Sequence, residues 1–396
     1  MKKILIILSL FLVPNLAEAH NPGQSYLYFS TYEDRIDGDV QAKAQEWNAV
    51  LGTNLPKNFT KEDLEAILPQ IHEYIRDNLT VRSELGEHPI TFVNYDVLNE
   101  EGSLGTFSRI LFRLDNVTTI PENLEVTYDL FFESDDDHRA LLLQAYNWKA
   151  GIIDNESVHS AIFSPGSTTQ ELDLSKATTW NGFISMVKMG IWHIWIGIDH
   201  IFFLLALALP AVVTRLPNRK SITEILSQWT GVEKFKPAFW YLVKVVTFFT
   251  IAHSITLSLA ALGVINLNAR IVESIIALSI ALAALHNIVP IFKQREWLIA
   301  FGFGLFHGFG FAGVLADKGL SGEYMALTLF GFNFGVEVGQ LLIILLFFPV
   351  LFFMRKTKVY SYSVVIASAA LILLSLIWTY ERFFDVNIPL RAITGL

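Results

Sequence analysis

The chain has 396 residues, of which 52% are hydrophobic and only 17% are charged. A soluble domain usually carries about 25% charged residues, so this composition indicates a membrane protein. The net charge is −9 and no basic run stands out, which argues against a nucleic-acid-binding protein. Cysteine is absent, which excludes disulfides, thiolate metal sites and cysteine nucleophiles.

Charged residues are distributed unevenly along the chain. Residues 20–180 contain 27 acidic and 11 basic side chains, whereas residues 181–396 contain 10 acidic and 16 basic ones. The sequence therefore predicts an acidic soluble domain followed by an apolar domain with an excess of basic residues.

Residues 1–19 have the pattern of a bacterial secretory signal. Met1, Lys2 and Lys3 precede the apolar run ILIILSLFLVP, and an Ala-x-Ala end follows at Ala19. The apolar run is too short to cross the ~30 Å hydrocarbon core of a bilayer. We expect cleavage after Ala19, which places residues 20–180 in the periplasm of a protein held in the bacterial inner membrane.

Cleavage at this position makes His20 the first residue of the mature chain. Its α-amine and imidazole form a candidate N-terminal metal-binding pair if a second histidine completes the ligand set. The other histidines of the domain are His72, His88, His138 and His159. The alternative is a frayed terminus without a function.

Short alternating segments indicate strands in the acidic domain. They begin at Ile90, Thr106 and Leu124, and turn residues separate them, which is typical of an antiparallel β-sandwich. Thr60 followed three residues later by Asp63 predicts the N-terminus of a helix that runs to about Asn78. We interpret residues 20–180 as a mostly β domain with a helical insertion.

The run Asp135-Asp136-Asp137-His138 has the composition of a metal site. It lacks the glycine and the spaced carboxylates of an EF-hand loop, so we expect a solvated acidic loop between strands.

Six apolar stretches follow, each long enough to cross a bilayer. They lie at residues 184–213, 238–263, 270–290, 297–316, 325–353 and 360–380. Ten basic residues fall in the loops that face inward if the preceding domain is exported, and one, Lys318, falls in the outer loops. The predicted fold is an α-helical polytopic membrane domain of about six transmembrane helices, preceded by a mostly β extracytoplasmic domain.

Ionisable and amide side chains inside these stretches indicate a site, because burying them in hydrocarbon is costly unless they face a partner or water. The candidate metal ligands are His193, Asp199, His200, His253, His307 and Glu337. The secondary polar residues are Glu273, His286, Asn287 and Asn333. The alternative is that these groups only bond to one another and hold the helices together.

Helical spacing predicts how these residues are arranged. His193 and His200 are two turns apart on one face of the first span, with Asp199 beside them. Glycines at 302, 304, 308, 310 and 313 allow close helix packing around His307. Nitrogen and oxygen ligands favour Ni²⁺, Zn²⁺ or Co²⁺ over Cu⁺.

The segment from His193 to His200 has the His-x5-Asp-His pattern and resembles the HupE/UreJ family of membrane proteins, in its branch with a long extracytoplasmic domain. Phe306-His307-Gly308, followed by Glu337, is similar to the second signature of that family. The resemblance implies a nickel or cobalt permease linked to hydrogenase or urease maturation. It also implies that His193, Asp199 and His200 bind metal opposite His307 and Glu337.

Two functions of different classes remain open. A divalent-cation permease requires polar groups that continue inward, such as His286 and Asn287. A metal-dependent intramembrane hydrolase, acting on a lipid or membrane peptide at the outer leaflet, requires only the outer cluster. A metal-free variant with Ser254 or Ser258 lacks a Gly-x-Ser-x-Gly motif.

A third function, a sensor or scaffold in which the exported domain binds a protein partner, does not account for the buried charges.

Overall fold

The chain divides into two compact units, Met1–Thr178 and Thr179–Leu396. The computed structural model describes residues 23–100, 105–153, 159–175, 178–215, 229–289, 291, 296–310, 324–386 and 388. The predicted signal at 1–19 and His20 therefore lie outside the described residues.

The N-terminal unit is mostly β, as predicted. Its strands are β1 Gln24–Thr31, β2 Ile36–Lys43, β3 Leu79–Ser83, β4 Gly86–Glu87, β5 Ile90–Glu100, β6 Gly105–Leu114, β7 Asn123–Tyr128, β8 Arg139–Asn147, β9 Ile152–Ile153, β10 His159–Phe163 and β11 Thr169–Asp173. One sheet has the order β10-β8-β1-β2-β6-β5, with β9 beside β8, and the other has the order β11-β7-β3-β4.

One strand pair departs from the predicted antiparallel arrangement. β1 and β8 are parallel, with Leu27 opposite Leu142, whereas the other pairs described in the two sheets are antiparallel. A parallel pair needs a long connection, and more than 100 residues separate these two strands. The alternation of apolar and polar residues along a single strand does not indicate which strand it pairs with or in which direction.

The helical insertion comprises α1 Ala44–Leu51 and α2 Lys61–Asn78. Thr60 begins α2 through a capping box, in which its backbone N–H donates to Asp63 Oδ2 at 2.9 Å and its hydroxyl accepts from the Asp63 N–H at 3.3 Å. Both predicted ends of this helix are confirmed. Leu64 and Ile71 of its buried face belong to the same hydrophobic core as Leu27 of β1.

The C-terminal unit is helical, and its composition and helix lengths are those of a membrane protein. Its helices are α3 Thr179–Ile196, α4 Ile198–Ala211, α5 Phe235–Ala261, α6 Ala269–Ile288, α7 Glu296–Gly310, α8 Met325–Met354 and α9 Lys358–Phe384. Four of the described helices, α5, α6, α8 and α9, are each long and apolar enough to span a bilayer, and α3 with α4 forms a fifth candidate. The predicted fourth span begins in α7, and residues 311–316 lie outside the described part of the chain.

The first predicted span is not one continuous helix. α3 and α4 are bent by 72° at Gly197, so the expectation that His193 and His200 share one face of a single helix was wrong. A Cβ at Gly197 would lie 2.8 Å from the His193 carbonyl oxygen and 2.7 Å from His200 Nδ1. Only glycine therefore fits this break without displacing its neighbours.

Candidate metal site

Four buried or half-buried histidines come together from α3, α4, α5 and α7. One ring nitrogen from each of His193, His200 and His253 lies within 4.8 Å of the other two. The ring centroid of His307 lies 5.2 Å from that of His200. The bend at Gly197 contributes to this arrangement, because it brings the rings of His193 and His200 to a centroid separation of 4.7 Å.

Three of these imidazoles are oriented through Nδ1. His200 Nδ1 lies 3.1 Å from Asp199 Oδ1, His253 Nδ1 lies 3.2 Å from Asn333 Oδ1, and His307 Nδ1 lies 3.0 Å from the Phe303 carbonyl oxygen. Each partner is an acceptor, so Nδ1 carries the proton and Nε2 keeps its lone pair. The Nε2 atoms of these three residues are buried and have no hydrogen-bond partner among the described residues. This is the arrangement found in histidine ligands of metals.

Asn333 connects this cluster to α8. Its amide nitrogen donates to the Leu329 carbonyl at 2.7 Å, which leaves the amide oxygen facing His253. Glu337, one turn further along α8, accepts from the Thr247 hydroxyl at 2.6 Å. Its second carboxylate oxygen is buried and has no hydrogen-bond partner among the described residues. Glu337 contributes no atom to the group of ligand atoms that lie within 4.8 Å of one another.

A cavity of about 220 Å³ opens beside the histidines. It is lined by His193, Asp199, His200, Glu273, Ile276, His307, Gly310 and Arg382. Glu273 Oε2 and Arg382 Nε lie 3.8 Å apart. The cavity therefore combines imidazole nitrogens with two carboxylates and one guanidinium.

Phenylalanine side chains lie one helical turn from the histidines, and we call Phe203, Phe249 and Phe303 the aromatic layer. The ring of Phe203 is 5.0 Å from Phe249 and 5.9 Å from Phe303 between centroids. Phe203 and Phe249 also contact the His307 ring, at 5.3 and 5.0 Å. On all three helices, the aromatic layer separates the histidine from residues that line a second cavity.

The second cavity has a volume of about 90 Å³, and its lining includes Ala206, Val245, Ile299, His286, Asn287 and Glu296. The predicted polar residues His286 and Asn287 thus lie apart from the histidine cluster. Asn287 donates to the Ala206 carbonyl at 2.8 Å and lies 3.2 Å from the Ser368 hydroxyl. His286 Nδ1 accepts from the Ile291 N–H at 3.2 Å.

Two of the predicted glycines explain how α7 approaches α5. A Cβ at Gly304 would lie 2.4 Å from the Phe249 carbonyl oxygen, and one at Gly308 would lie 2.3 Å from that of His253. Both glycines thus permit backbone contact on either side of His307. Gly302 faces open space, and position 313 lies outside the described residues.

Sequence reasoning missed a polar row between α5 and α8. Thr250 donates to Gln340 Oε1 at 2.8 Å, between the His253–Asn333 and Thr247–Glu337 contacts along α5. The polar residues are three apart on α5, and four and three apart on α8. Such spacing places each set on one face of its helix, so this signal is present in the sequence. Arg382 was also missed, because the predicted last span ended at residue 380 while α9 continues to Phe384.

His72 and His88 of the N-terminal unit have separate local partners. His72 stacks on Phe92 with centroids 3.8 Å apart, and His88 lies 2.7 Å from the Ser83 hydroxyl and 3.0 Å from the Asp115 carbonyl. The structure places His159 in β10. Metal binding by His20 stays a prediction.

The acidic run before β8 is solvated only in part. Asp136 and Asp137 are exposed, whereas His138 is fully buried and lies 2.8 Å from the Ser25 hydroxyl through Nε2. Burial lowers the pKa of His138 to about 4. Asp135 accepts from the Gly23 N–H at 3.1 Å, so this residue fixes the start of β1.

Comparison with known proteins gives one family. A model described as HupE / UreJ protein matches residues 168–382, which include the whole histidine cluster. A comparison with curated protein sequences found no match.

Proposed function

Because the chain belongs to the HupE/UreJ family, which is associated with nickel and cobalt transport, we propose that it is a permease for a divalent nickel-type or cobalt-type cation. The substrate ion binds at His193, His200, His253 and His307. One observation carries the proposal: these imidazoles converge, and three of them are oriented through Nδ1 with Nε2 buried and unbonded.

Neutral imidazoles suit an ion that has to leave again. Imidazole nitrogen binds Ni²⁺, Co²⁺ and Zn²⁺, and the family is associated with transport of the first two. Asp199 orients His200 rather than binding the ion, and Glu337 belongs to the polar row that continues from the cluster.

Two features support passage through the unit. The polar row of Thr247, Thr250, Glu337 and Gln340 provides oxygen ligands beyond the histidines. The aromatic layer separates the histidine cavity from the cavity lined by His286, Asn287 and Glu296. We infer that the ion passes from the first cavity to the second when this layer opens.

The charge pattern supports an orientation. An exported, acidic N-terminal unit attracts cations to the periplasmic side. The histidine cavity then faces the periplasm, and the cavity beside Glu296 faces the cytoplasm.

The comparisons give no evidence for the metal-dependent hydrolase, and the contact of Ser254 disfavours its metal-free variant. The Ser254 hydroxyl donates to the Thr250 carbonyl of its own helix at 2.7 Å, which is a structural bond.

Uptake of radioactive nickel into proteoliposomes tests the proposal. We expect His200→Ala combined with His307→Ala to abolish both nickel binding and uptake. Asn333→Leu, which removes the acceptor for His253 Nδ1, should weaken binding by about 10- to 100-fold.

His72→Gln is the matched control, since His72 stacks on Phe92 in the other unit and should leave uptake unchanged. Unaltered binding and uptake in the double variant would contradict the proposal.

A further inference from the structure

Arg382 is an unexpected neighbour for a cation site. Its side chain lines the cavity that contains His193, His200 and His307. A guanidinium stays positively charged and repels a bare metal ion. Its position needs an explanation that the histidines alone do not give.

Glu273 accounts for only part of the guanidinium. Arg382 Nε lies 3.8 Å from Glu273 Oε2, which is an ion-pair distance but too long for a hydrogen bond. Arg382 Nη1 is buried and has no hydrogen-bond partner among the described residues. A planar guanidinium with an unused buried donor is suited to a carboxylate.

The size and charge of the cavity agree with a second ligand. About 220 Å³ is far more than the ~10–15 Å³ that one water requires, so an ion leaves most of this volume unfilled. The lining contains two carboxylates, Asp199 and Glu273, and one guanidinium, Arg382, so their formal charges sum to −1. A divalent ion alone leaves the cavity with a net positive charge, and one further carboxylate neutralises it.

We propose that the cavity takes the metal ion as a complex with an amino-carboxylate ligand, whose carboxylate binds Arg382 while the histidines bind the metal. Metal complexes of amino acids belong to this class. The proposal rests on the proposed function and names the chemical form of its substrate. The three imidazoles that line this cavity, those of His193, His200 and His307, leave coordination positions open on Ni²⁺, which the small ligand fills.

Equilibrium dialysis of the full chain in detergent tests the proposal with three forms of radioactive nickel. They are the free ion, its complex with ethylenediamine-N-acetate and its complex with diethylenetriamine. Both chelators offer three donor atoms, and only the first has a carboxylate. We expect the wild type to bind the carboxylate complex at least about tenfold more tightly than the triamine complex.

Arg382→Met should remove this preference and leave binding of the free ion equal or stronger. Arg382→Lys should retain part of the preference. Glu273→Gln should strengthen binding of the carboxylate complex and weaken that of the free ion. These opposite responses exclude general unfolding as their cause.

Two results would overturn the inference: no discrimination between the complexes by the wild type, or an equal change for both complexes in Arg382→Met. Free nickel that binds to the wild type and is lost in His200→Ala with His307→Ala would then leave the proposed function standing. No binding of nickel in any form would contradict the proposed function itself.

Discussion

The buried histidines of the helical unit and His138 of the N-terminal unit differ in their hydrogen bonds. In the helical unit, Nδ1 of His200, His253 and His307 faces an acceptor and Nε2 faces the site. In the N-terminal unit, Nε2 of His138 contacts Ser25, and Nδ1 has no hydrogen-bond partner among the described residues. The first arrangement leaves an Nε2 lone pair available at the candidate metal site, and the second should make folding sensitive to acid.

Acidification should destabilise the N-terminal unit through His138. Burial lowers the pKa of this imidazole to about 4, against about 6.5 in an unfolded chain. The unfolded state therefore binds a proton first, so stability is complete above about pH 6.5 and is lost as the pH falls towards 4. Between about pH 7 and 5 the free energy of unfolding should fall by about 2 kcal/mol. Unfolding of this unit can be measured in the full-length protein as the loss of its protease resistance with increasing urea.

His138→Gln is the control, because glutamine keeps a partner for Ser25 and does not titrate. Burial also lowers the pKa of His72, but His72 is present in both proteins and its contribution cancels in the comparison. An identical pH dependence in the variant would contradict the assignment to His138.

At the scale of elements, the contact of α5 with α7 depends on glycine. Gly308→Ala would place a Cβ 2.2 Å from Thr256 Oγ1 and 2.3 Å from the His253 carbonyl, so the helices have to separate. We expect a loss of about 1–3 kcal/mol in stability and weaker nickel binding. Thermal unfolding in detergent and equilibrium dialysis measure the two effects.

Gly302→Ala is the matched control on the same helix, since a Cβ there meets nothing within 4 Å. Alanine also favours a helix by about 1 kcal/mol over glycine, so this variant should be as stable as the wild type or more so. Equal behaviour of the two variants would show that close packing of α7 on α5 is not required.

Local sequence signals predicted the helices and strands better than the breaks between them. The Thr60–Asp63 pair fixed the start of α2, because a capping box acts within one helical turn. The bend between α3 and α4 was not predicted, since the apolar run continues through Gly197 and only tertiary contacts reveal the break. The histidines were identified because they are ionisable residues inside apolar stretches. Arg382 was not identified, because it lies beyond the predicted end of its helix.

At the scale of the whole molecule, the positive-inside pattern predicts how the chain lies in the membrane. Asn266, between α5 and α6, should face the periplasm, and Glu233, before α5, should face the cytoplasm. Both residues are exposed, and the chain has no native cysteine. Asn266→Cys should react with a membrane-impermeant maleimide on intact inner-membrane spheroplasts, and Glu233→Cys should react only after permeabilisation. The reverse labelling pattern would contradict the proposed orientation.

The aromatic layer has an electrical consequence. It occupies about one helical turn, or about 5 Å, between the two cavities. In the proposed cycle each cavity is continuous with the solution on its own side and holds nearly the potential of that solution, so most of the transmembrane voltage would fall across this short distance. In the proposed cycle, an ion that passes Phe203, Phe249 and Phe303 moves through almost the whole voltage in a single step. At about 2.3 kcal/mol per charge per 100 mV, a bare divalent ion gains about twice the driving force of a singly charged complex. The chemical form of the cargo thus determines how steeply its entry depends on membrane potential.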